Sequence, residues 1–175
     1  MDEPDEALPP APESELIALV ALVLTRARRR EAAAVVSDGD ERYEVAVAPG
    51  DRWVVHSSTI EWIGNGISIQ AYDTQDTVGA RRRAEEYPPG WYHPALYLLW
   101  PQLLPLWGRA GDEYRPVRTI EGLHGPSGIV FEMVDAPRVG GESLGPWAHV
   151  LLNDDHQVTL LEWEGRTWTL LDINE

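Results

Sequence analysis

The chain contains no cysteine and no lysine, and it has a single phenylalanine among 175 residues. Without cysteine it can form no disulfide bond, no zinc–thiolate site and no thiol nucleophile. Its 29 acidic residues face only 14 arginines, which gives a formal net charge of −15. A field of this sign repels nucleic acid and anionic membrane surfaces, so we expect no nucleic-acid partner.

Long apolar runs are also missing. The longest covers residues 16–24, which is too short to span a bilayer. Acids precede this run and arginines follow it, which is the reverse of the charge order in a signal peptide. The sequence therefore predicts a cytoplasmic protein without a membrane span.

The composition favours one folded domain behind a short tail. Residues 1–13 are rich in acids and prolines, and such a segment buries too little apolar surface to fold. The whole chain is 43% hydrophobic and 25% charged, as in ordinary globular proteins. We predict a disordered acidic tail over residues 1–13 and a single domain over residues 14–175.

Short runs rich in Val, Leu, Thr and Trp predict an antiparallel sheet of roughly eight strands. The clearest are residues 147–153, 157–163 and 166–173, which are separated by Asn/Asp and Glu-Gly turn signals and form a predicted meander. Both faces of this meander carry apolar residues, so it needs a covering layer. Further strands are predicted over residues 42–48, 52–58, 59–63, 67–72, 113–120 and 128–134.

Three helical segments are predicted around this sheet. Ser14 can cap a helix over residues 15–36, whose acidic start and basic later part suit the helix dipole. Residues 78–86 resemble a short polar helix. Residues 91–107, here called the central segment, carry almost no charge, and Pro101 and Pro105 divide them into short helical pieces. This composition is typical of a lid that packs on a sheet.

The order of these elements resembles the LolA-like superfamily of lipoprotein-carrier half-barrels. The segments that carry the resemblance are residues 52–57, the hairpin of residues 63–73, residues 98–104 and residues 135–138. The resemblance implies an α+β fold, in which an incomplete antiparallel barrel surrounds helices and encloses an apolar cavity for acyl chains or similar ligands. Because the sequence has an acidic tail in place of an export signal, it implies the fold more strongly than the carrier function.

No catalytic or cofactor-binding motif is present. The five histidines are dispersed without metal-binding spacing, and Gly64-Asn65-Gly66 is a turn signal that lacks the dinucleotide-binding pattern. Isolated carboxylates such as Glu61 and Glu132 do not define a site in so acidic a chain. We therefore predict no metal and no cofactor.

The aromatic residues are the most informative candidates. Eight tryptophans and six tyrosines join large apolar rings to polar groups, and most lie on the first predicted sheet or on the central segment. Core filling explains any single ring, but so many N–H and O–H groups need partners, which a lined cavity supplies. The predicted ligand-binding residues are Trp53, His56, Trp62, Tyr72, Trp91, Tyr92, Tyr97, Trp100 and Trp107.

Three functions are compatible with this pattern. The first is a binding protein for an apolar or amphipathic small molecule, lipid-like or polyketide- or terpenoid-like. The second is a barrel cyclase or isomerase of specialised metabolism that acts by holding a flexible substrate in a reactive conformation. The third is an interaction module that docks a protein partner on the central segment. A closed pocket would favour the first two, and a flat exposed central segment would favour the third.

Overall fold

A computed structural model describes residues 12–27, 31–75, 79, 81–83 and 85–174. In this part of the chain, eleven strands form one open antiparallel sheet, accompanied by one N-terminal α-helix and two short 3-10 helices. The predicted class, an antiparallel sheet with a helix at the N-terminus and helical pieces in the middle, is confirmed.

The elements follow one another in this order: α1 (Pro12–Ala27), β1 (Ala32–Ser37), β2 (Arg42–Ala48), β3 (Arg52–His56), β4 (Ile60–Gly64), β5 (Ile69–Asp73), β6 (Arg81–Arg82), the 3-10 helices Pro94–Leu98 and Pro101–Leu103, β7 (Tyr114–Gly122), β8 (Gly125–Met133), β9 (Arg138–Val139), β10 (Glu142–Ser143), β11 (Trp147–Leu152), β12 (Val158–Trp163) and β13 (Arg166–Asn174). Strands β9 and β10 pair only with each other.

The sheet consists of two meanders joined at its centre. Its strand order is β6-β5-β4-β3-β2-β1-β13-β12-β11-β8-β7. The join is the antiparallel pairing of β1 with β13, which runs from Ala33 opposite Asn174 to Ser37 opposite Thr169. The first and last strands of the chain are therefore interior strands, and β6 and β7 are the two edges.

This topology determines the course of the central segment. The central segment follows the edge strand β6 in the sequence and precedes the opposite edge strand β7. The chain therefore has to cross the full width of the sheet between them. It crosses on the face that α1 also covers, which we call the inner face. The 3-10 helix Pro94–Leu98 contacts β1, β2, β12 and β13, and Pro101–Leu103 contacts α1.

One hydrophobic core lies between the central segment and the inner face. Alternate residues of β2 and β3, such as Val45, Val47 and Val55, are buried there. Five leucines of the central segment are at most 1% exposed: Leu96, Leu98, Leu99, Leu104 and Leu106. Each contributes about 1.5–3 kcal/mol by leaving water, so this apolar segment is a structural layer of the fold.

The N-terminal helix is shorter than predicted. It begins at Pro12, three residues before the predicted start, and it ends at Ala27. Residues 1–11 of the predicted tail lie outside the described residues. The helix prediction for residues 32–36 is wrong, because Ala32–Ser37 is strand β1. Pairing with β2 on one side and β13 on the other overrides the helical preference of three consecutive alanines.

The helix predicted over residues 78–86 is also wrong where the structure describes it. Arg81 and Arg82 form β6, opposite Asp73 and Tyr72 of β5. Residues 76–78, 80 and 84 lie outside the described residues. With β1 and β6 included, the sheet has more strands than the eight or so that were predicted.

The C-terminal meander is confirmed. β11 pairs with β12, and β12 pairs with β13. Glu164 and Gly165 both have positive φ, 52° and 74°, the backbone conformation of a two-residue hairpin turn.

Candidate functional site

An aromatic cleft lies at the β5 end of the sheet, between the inner face and residues 85–92. It has a volume of about 360 Å³. Trp53 projects inward from β3, and its ring centroid lies 6.3 Å from that of Trp91 and 6.3 Å from that of Tyr92. The Tyr87 ring continues the wall at 4.6 Å from Trp91. Four aromatic rings from two parts of the chain thus form one apolar surface.

Gly64 is what allows the Trp53 ring to lie flat against β4. The two residues are direct cross-strand partners. A Cβ atom at position 64 would overlap the indole well inside van der Waals distance. A glycine here therefore positions the innermost ring of the cleft.

Replacing Gly64 by Ala is expected to destabilise the protein by about 1–3 kcal/mol, because the added methyl group overpacks the Trp53 ring. Urea unfolding measures this. The overlap needs both side chains, so Gly64→Ala should cost much less when Trp53 is already replaced by Leu. Strictly additive costs in this double-mutant cycle would contradict the assigned contact.

Hydrogen bonds fix Tyr87 in its place. The indole Nε1 of Trp62 donates to the Tyr87 hydroxyl oxygen at 2.9 Å, and the hydroxyl in turn donates to Glu85 Oε2 at 2.8 Å. Arg83 forms an ion pair with the same carboxylate. Burial, and then the bond to Glu85, raises the pKa of Tyr87. This chain of polar contacts ties Arg83, Glu85 and Tyr87 to β4 and holds the Tyr87 ring in the wall of the cleft.

The mouth of the cleft is polar and charged. Ser68, Arg82, Glu85 and Glu86 line it, while Ile67 beside them is 95% exposed. A cleft lined by both aromatic rings and charged groups suits an amphipathic molecule, whose apolar part packs on the rings and whose polar part stays beside the charged groups.

His93 lies behind the aromatic wall. Its ring centroid is 4.5 Å from that of Trp62 and 5.1 Å from that of Tyr43. The Nδ1 atom accepts a hydrogen bond from the backbone N–H of Ala95 at 3.1 Å, which caps the first 3-10 helix. Burial lowers the pKa of His93 to about 4. The side chain is therefore neutral near pH 7, and its acceptor nitrogen is occupied, so it has a structural role.

Glu132, which the sequence analysis treated as an isolated carboxylate, is buried in the structure. It accepts hydrogen bonds from Arg115 at 2.6 Å and from Arg138 at 3.2 Å. The bond from Arg115 contributes most to lowering its pKa. Glu132 alternates along β8 with the core residue Phe131 and thus belongs to the outer face. This pairing joins β7, β8 and β9 and is remote from the cleft.

The structure brings three of the predicted ligand-binding residues together around the cleft: Trp53, Trp91 and Tyr92. Trp62 supports them through Tyr87. Sequence reasoning missed Tyr87. Its position directly before Pro88-Pro89-Gly90 and four residues before Trp91 was the available signal.

Three predicted residues are core or support residues. Trp100 and Trp107 are each 6% exposed. Trp107 donates its Nε1 hydrogen to the Pro101 carbonyl at 2.7 Å. Tyr97 packs edge-on against Trp163 at 6.0 Å. Their positions are those of side chains that fill space between the central segment and the sheet.

The remaining two predicted residues lie on the outer face. His56 alternates with the inward-facing Trp53 and Val55 along β3. Tyr72 alternates with the buried Ala71 and donates its hydroxyl hydrogen to Gln70. Neither contributes to the aromatic cleft.

A larger but shallower concavity, of about 860 Å³, lies on the outer face. Directly opposed residues of four strands form its floor: Ala33, Ala46, Val54 and Ile63. These are small or aliphatic side chains, and Glu31, Arg52, Asn65 and Asn174 also line the concavity. The aromatic cleft is smaller and more enclosed, and aromatic rings from two parts of the chain converge on it, so it is the better candidate for a ligand site.

The central segment does not present the flat apolar surface that a protein-docking function requires. Five of its six leucines and two of its three tryptophans are buried, and Leu103 is partly buried. Among the described residues, no helix combines the length and apolar character needed to cross a membrane. In the same residues, no group of three or more potential metal-ligating side chains is gathered at one point.

In comparisons with known proteins, no protein-family model matches the chain, and no curated protein matches it significantly.

Proposed function

We propose that the protein binds an apolar or amphipathic small molecule in the aromatic cleft formed by Trp53, Tyr87, Trp91 and Tyr92. The observation that carries this proposal is the convergence of these four rings on one cleft with a charged mouth. Its volume of about 360 Å³ is at the lower end of the range of small-molecule sites. The ligand is therefore a compact ring system or one end of a longer chain.

The proposal includes the fold relationship. We propose that the sheet is a half-barrel of the LolA-like type, with the central segment as its inner layer. The open antiparallel sheet and the segment that crosses its inner face support this. The cleft is then the part of the half-barrel interior that the central segment leaves uncovered.

Binding fits the cleft better than catalysis. The titratable groups that line it are Arg82, Glu85, Glu86 and two tyrosines, and the pKa of each tyrosine is raised by burial. A phenol with a raised pKa is a poor base at neutral pH. The cleft is also open to solvent on one side, whereas preorganisation of a flexible substrate needs an enclosing wall.

Titration with a fluorescent fatty-acid analogue tests the proposal. Wild type should bind it, and Trp91→Ala should raise the dissociation constant at least about tenfold, because the ring supplies part of the cleft wall. Trp147 is the matched control, since it is 45% exposed and lies on β11, away from the cleft. Trp147→Ala should bind the probe like wild type.

Two results would reject the proposal. One is a wild-type protein that binds neither this probe nor neutral and cationic amphiphiles of the same chain length. The other is an equal loss of binding in Trp91→Ala and Trp147→Ala, which would show that the probe reports general surface hydrophobicity.

A further inference from the structure

Three polar groups on the rings of the aromatic cleft have no partner in the protein. They are the indole N–H groups of Trp53 and Trp91 and the hydroxyl group of Tyr92. In the part of the chain that the structure describes, none of the three makes a hydrogen bond. The polar groups of Trp62 and Tyr87, by contrast, bind each other, and the Tyr87 hydroxyl also donates to a carboxylate.

Trp53 makes this observation informative. An exposed donor simply binds water, but Trp53 is 2% exposed, and the polar groups of buried residues are normally paired. Among the described residues, the fully enclosed polar side-chain atoms without a partner are Gln102 Oε1 and Trp163 Nε1. The N–H of Trp53 is therefore accessible, although it belongs to a buried residue that lines the cleft.

A ligand that fills the cleft has to replace the water at these groups. An indole N–H can only donate a hydrogen bond, so each indole needs an acceptor atom on the ligand. A pure hydrocarbon would leave the donors unpaired, and an unpaired buried donor costs more free energy than a hydrogen bond normally contributes. The donors therefore select ligands that combine an apolar surface with acceptor atoms.

The charged groups at the cleft do not favour a ligand with a net charge. Glu85 is neutralised by its ion pair with Arg83. The other two charged residues that line the cleft, Arg82 and Glu86, carry opposite charges. The charges of these four residues cancel, so they supply no net attraction for an anion or for a cation.

The donor on Tyr92 lies in a negative field. Burial, and then the charge of Asp51, raises the pKa of this hydroxyl group, which is therefore protonated and able to donate near pH 7. The same carboxylate of Asp51 repels a ligand anion placed beside Tyr92. A neutral carbonyl oxygen accepts the hydrogen bond without this repulsion.

We propose that the cleft binds an uncharged ring compound that carries carbonyl oxygens, such as a quinone or a lactone. The ring packs on the aromatic wall, and Trp53, Trp91 and Tyr92 donate hydrogen bonds to the oxygens. This assignment rests on the proposed function, because it names the class of ligand for the same cleft. Of the two kinds of ligand that the size of the cleft allows, it selects the compact ring system over the end of a longer chain.

Equilibrium dialysis of para-naphthoquinone and naphthalene against the full chain tests the proposal. The two probes share a fused ring skeleton, and only the quinone carries carbonyl oxygens. The quinone should bind at least about tenfold tighter, because it alone offers the donors an acceptor. The chain has no cysteine and no lysine, so the quinone cannot form the thiol or ε-amine adducts that would imitate binding.

Tyr92→Phe removes one donor and keeps the ring. It should reduce the preference for the quinone, measured as the ratio of the two dissociation constants, at least about threefold. Tyr97→Phe is the matched control and should keep the wild-type ratio, since Tyr97 packs against Trp163 and does not line the cleft. Melting curves check the fold, and Trp91→Phe replaces Tyr92→Phe if that variant is destabilised.

The possible results separate this inference from the proposed function. Equal binding of quinone and naphthalene, or a preference that the donor-removing variant leaves unchanged, would overturn the carbonyl class and leave the cleft as a binding site. Tighter binding of naphthoate, an anion with the same rings, would overturn the assignment of an uncharged ligand. If only the fatty-acid analogue binds, the ligand is a chain and this inference is wrong. If no probe binds, the proposed function fails as well.

Discussion

Trp100→Ala should lower the free energy of unfolding by about 3–5 kcal/mol, one of the largest effects expected for a single substitution in this protein. Trp100 is 6% exposed and lies in the core cluster between the central segment and the sheet. Removing its ring leaves a cavity that the surrounding leucines cannot fill without leaving their own positions. The loss should be measured by urea unfolding.

Trp91→Ala should show the opposite pattern. Trp91 is half-buried and already borders the cleft, so its removal creates less new cavity and costs less stability, but it removes part of the ligand surface. Trp100 contacts the cleft only through Tyr92, edge-on at 6.3 Å. We therefore expect Trp100→Ala to change probe affinity by less than about threefold.

The two variants together separate core filling from cavity lining. A Trp100→Ala protein that keeps its stability and loses probe binding would show that this ring lines a ligand cavity, as the sequence pattern first suggested. A Trp91→Ala protein that unfolds easily and binds normally would remove the central support for the aromatic cleft.

The second large effect concerns acid stability. The pKa of His93 is lowered by burial to about 4 in the folded protein, against about 6.5 in an unfolded chain. Between these values the unfolded chain takes up a proton that the folded protein does not, so the folded state loses stability as the pH falls through this window. The shift corresponds to about 3 kcal/mol of folding free energy, and the folded protein has lost all of this stability below pH ~4.

His93→Asn isolates this contribution. An asparagine oxygen can still accept the hydrogen bond from the Ala95 N–H and cap the 3-10 helix, but it does not titrate. At pH 7 wild type should be the more stable protein, because it keeps the contacts with Trp62 and Tyr43. The stability difference between wild type and variant should then shift by about 3 kcal/mol in favour of the variant on going from pH 7 to pH 4.

The experiment compares unfolding free energies at several pH values, so that the titration of carboxylates cancels between the two proteins. His124→Asn, in the exposed β7–β8 turn, controls for the loss of a histidine as such. If the stability difference between wild type and His93→Asn stays constant from pH 7 to pH 4, His93 takes up its proton equally well in the folded and unfolded states. Its pKa would then not be lowered by burial.

Local sequence patterns predicted most of the sheet. Alternating residues and turn signals identified the hairpins and the C-terminal meander, because strand periodicity and turn chemistry depend on neighbouring residues. They failed for β1 and β6. Ala32–Ser37 becomes a strand through pairing with β13 at the far end of the chain, and Arg81 and Arg82 do so through pairing with β5. No short-range pattern contains the pairing of β1 with β13, because the two strands lie at opposite ends of the chain.

The candidate site was predictable in part. The proximity of Trp91 and Tyr92 in the chain and the inward alternation of Trp53 pointed to a common surface. In the structure, the alternation along β3 puts His56 on the opposite face of the sheet from Trp53. That Tyr87 closes the wall, however, depends on its hydrogen bonds with Trp62 and Glu85, which follow only from the three-dimensional fold.

The join between β1 and β13 has a consequence for how the chain folds as it is synthesised. One long edge of β1, an uncharged strand of alanine, valine and serine, gains its partner only when the last strand has been made. Until then, the N-terminal meander exposes an apolar edge of the type that promotes aggregation. The sheet is also rich in distant contacts, which slow folding. The C-terminal strand therefore completes the sheet and covers its most aggregation-prone edge in a single late step.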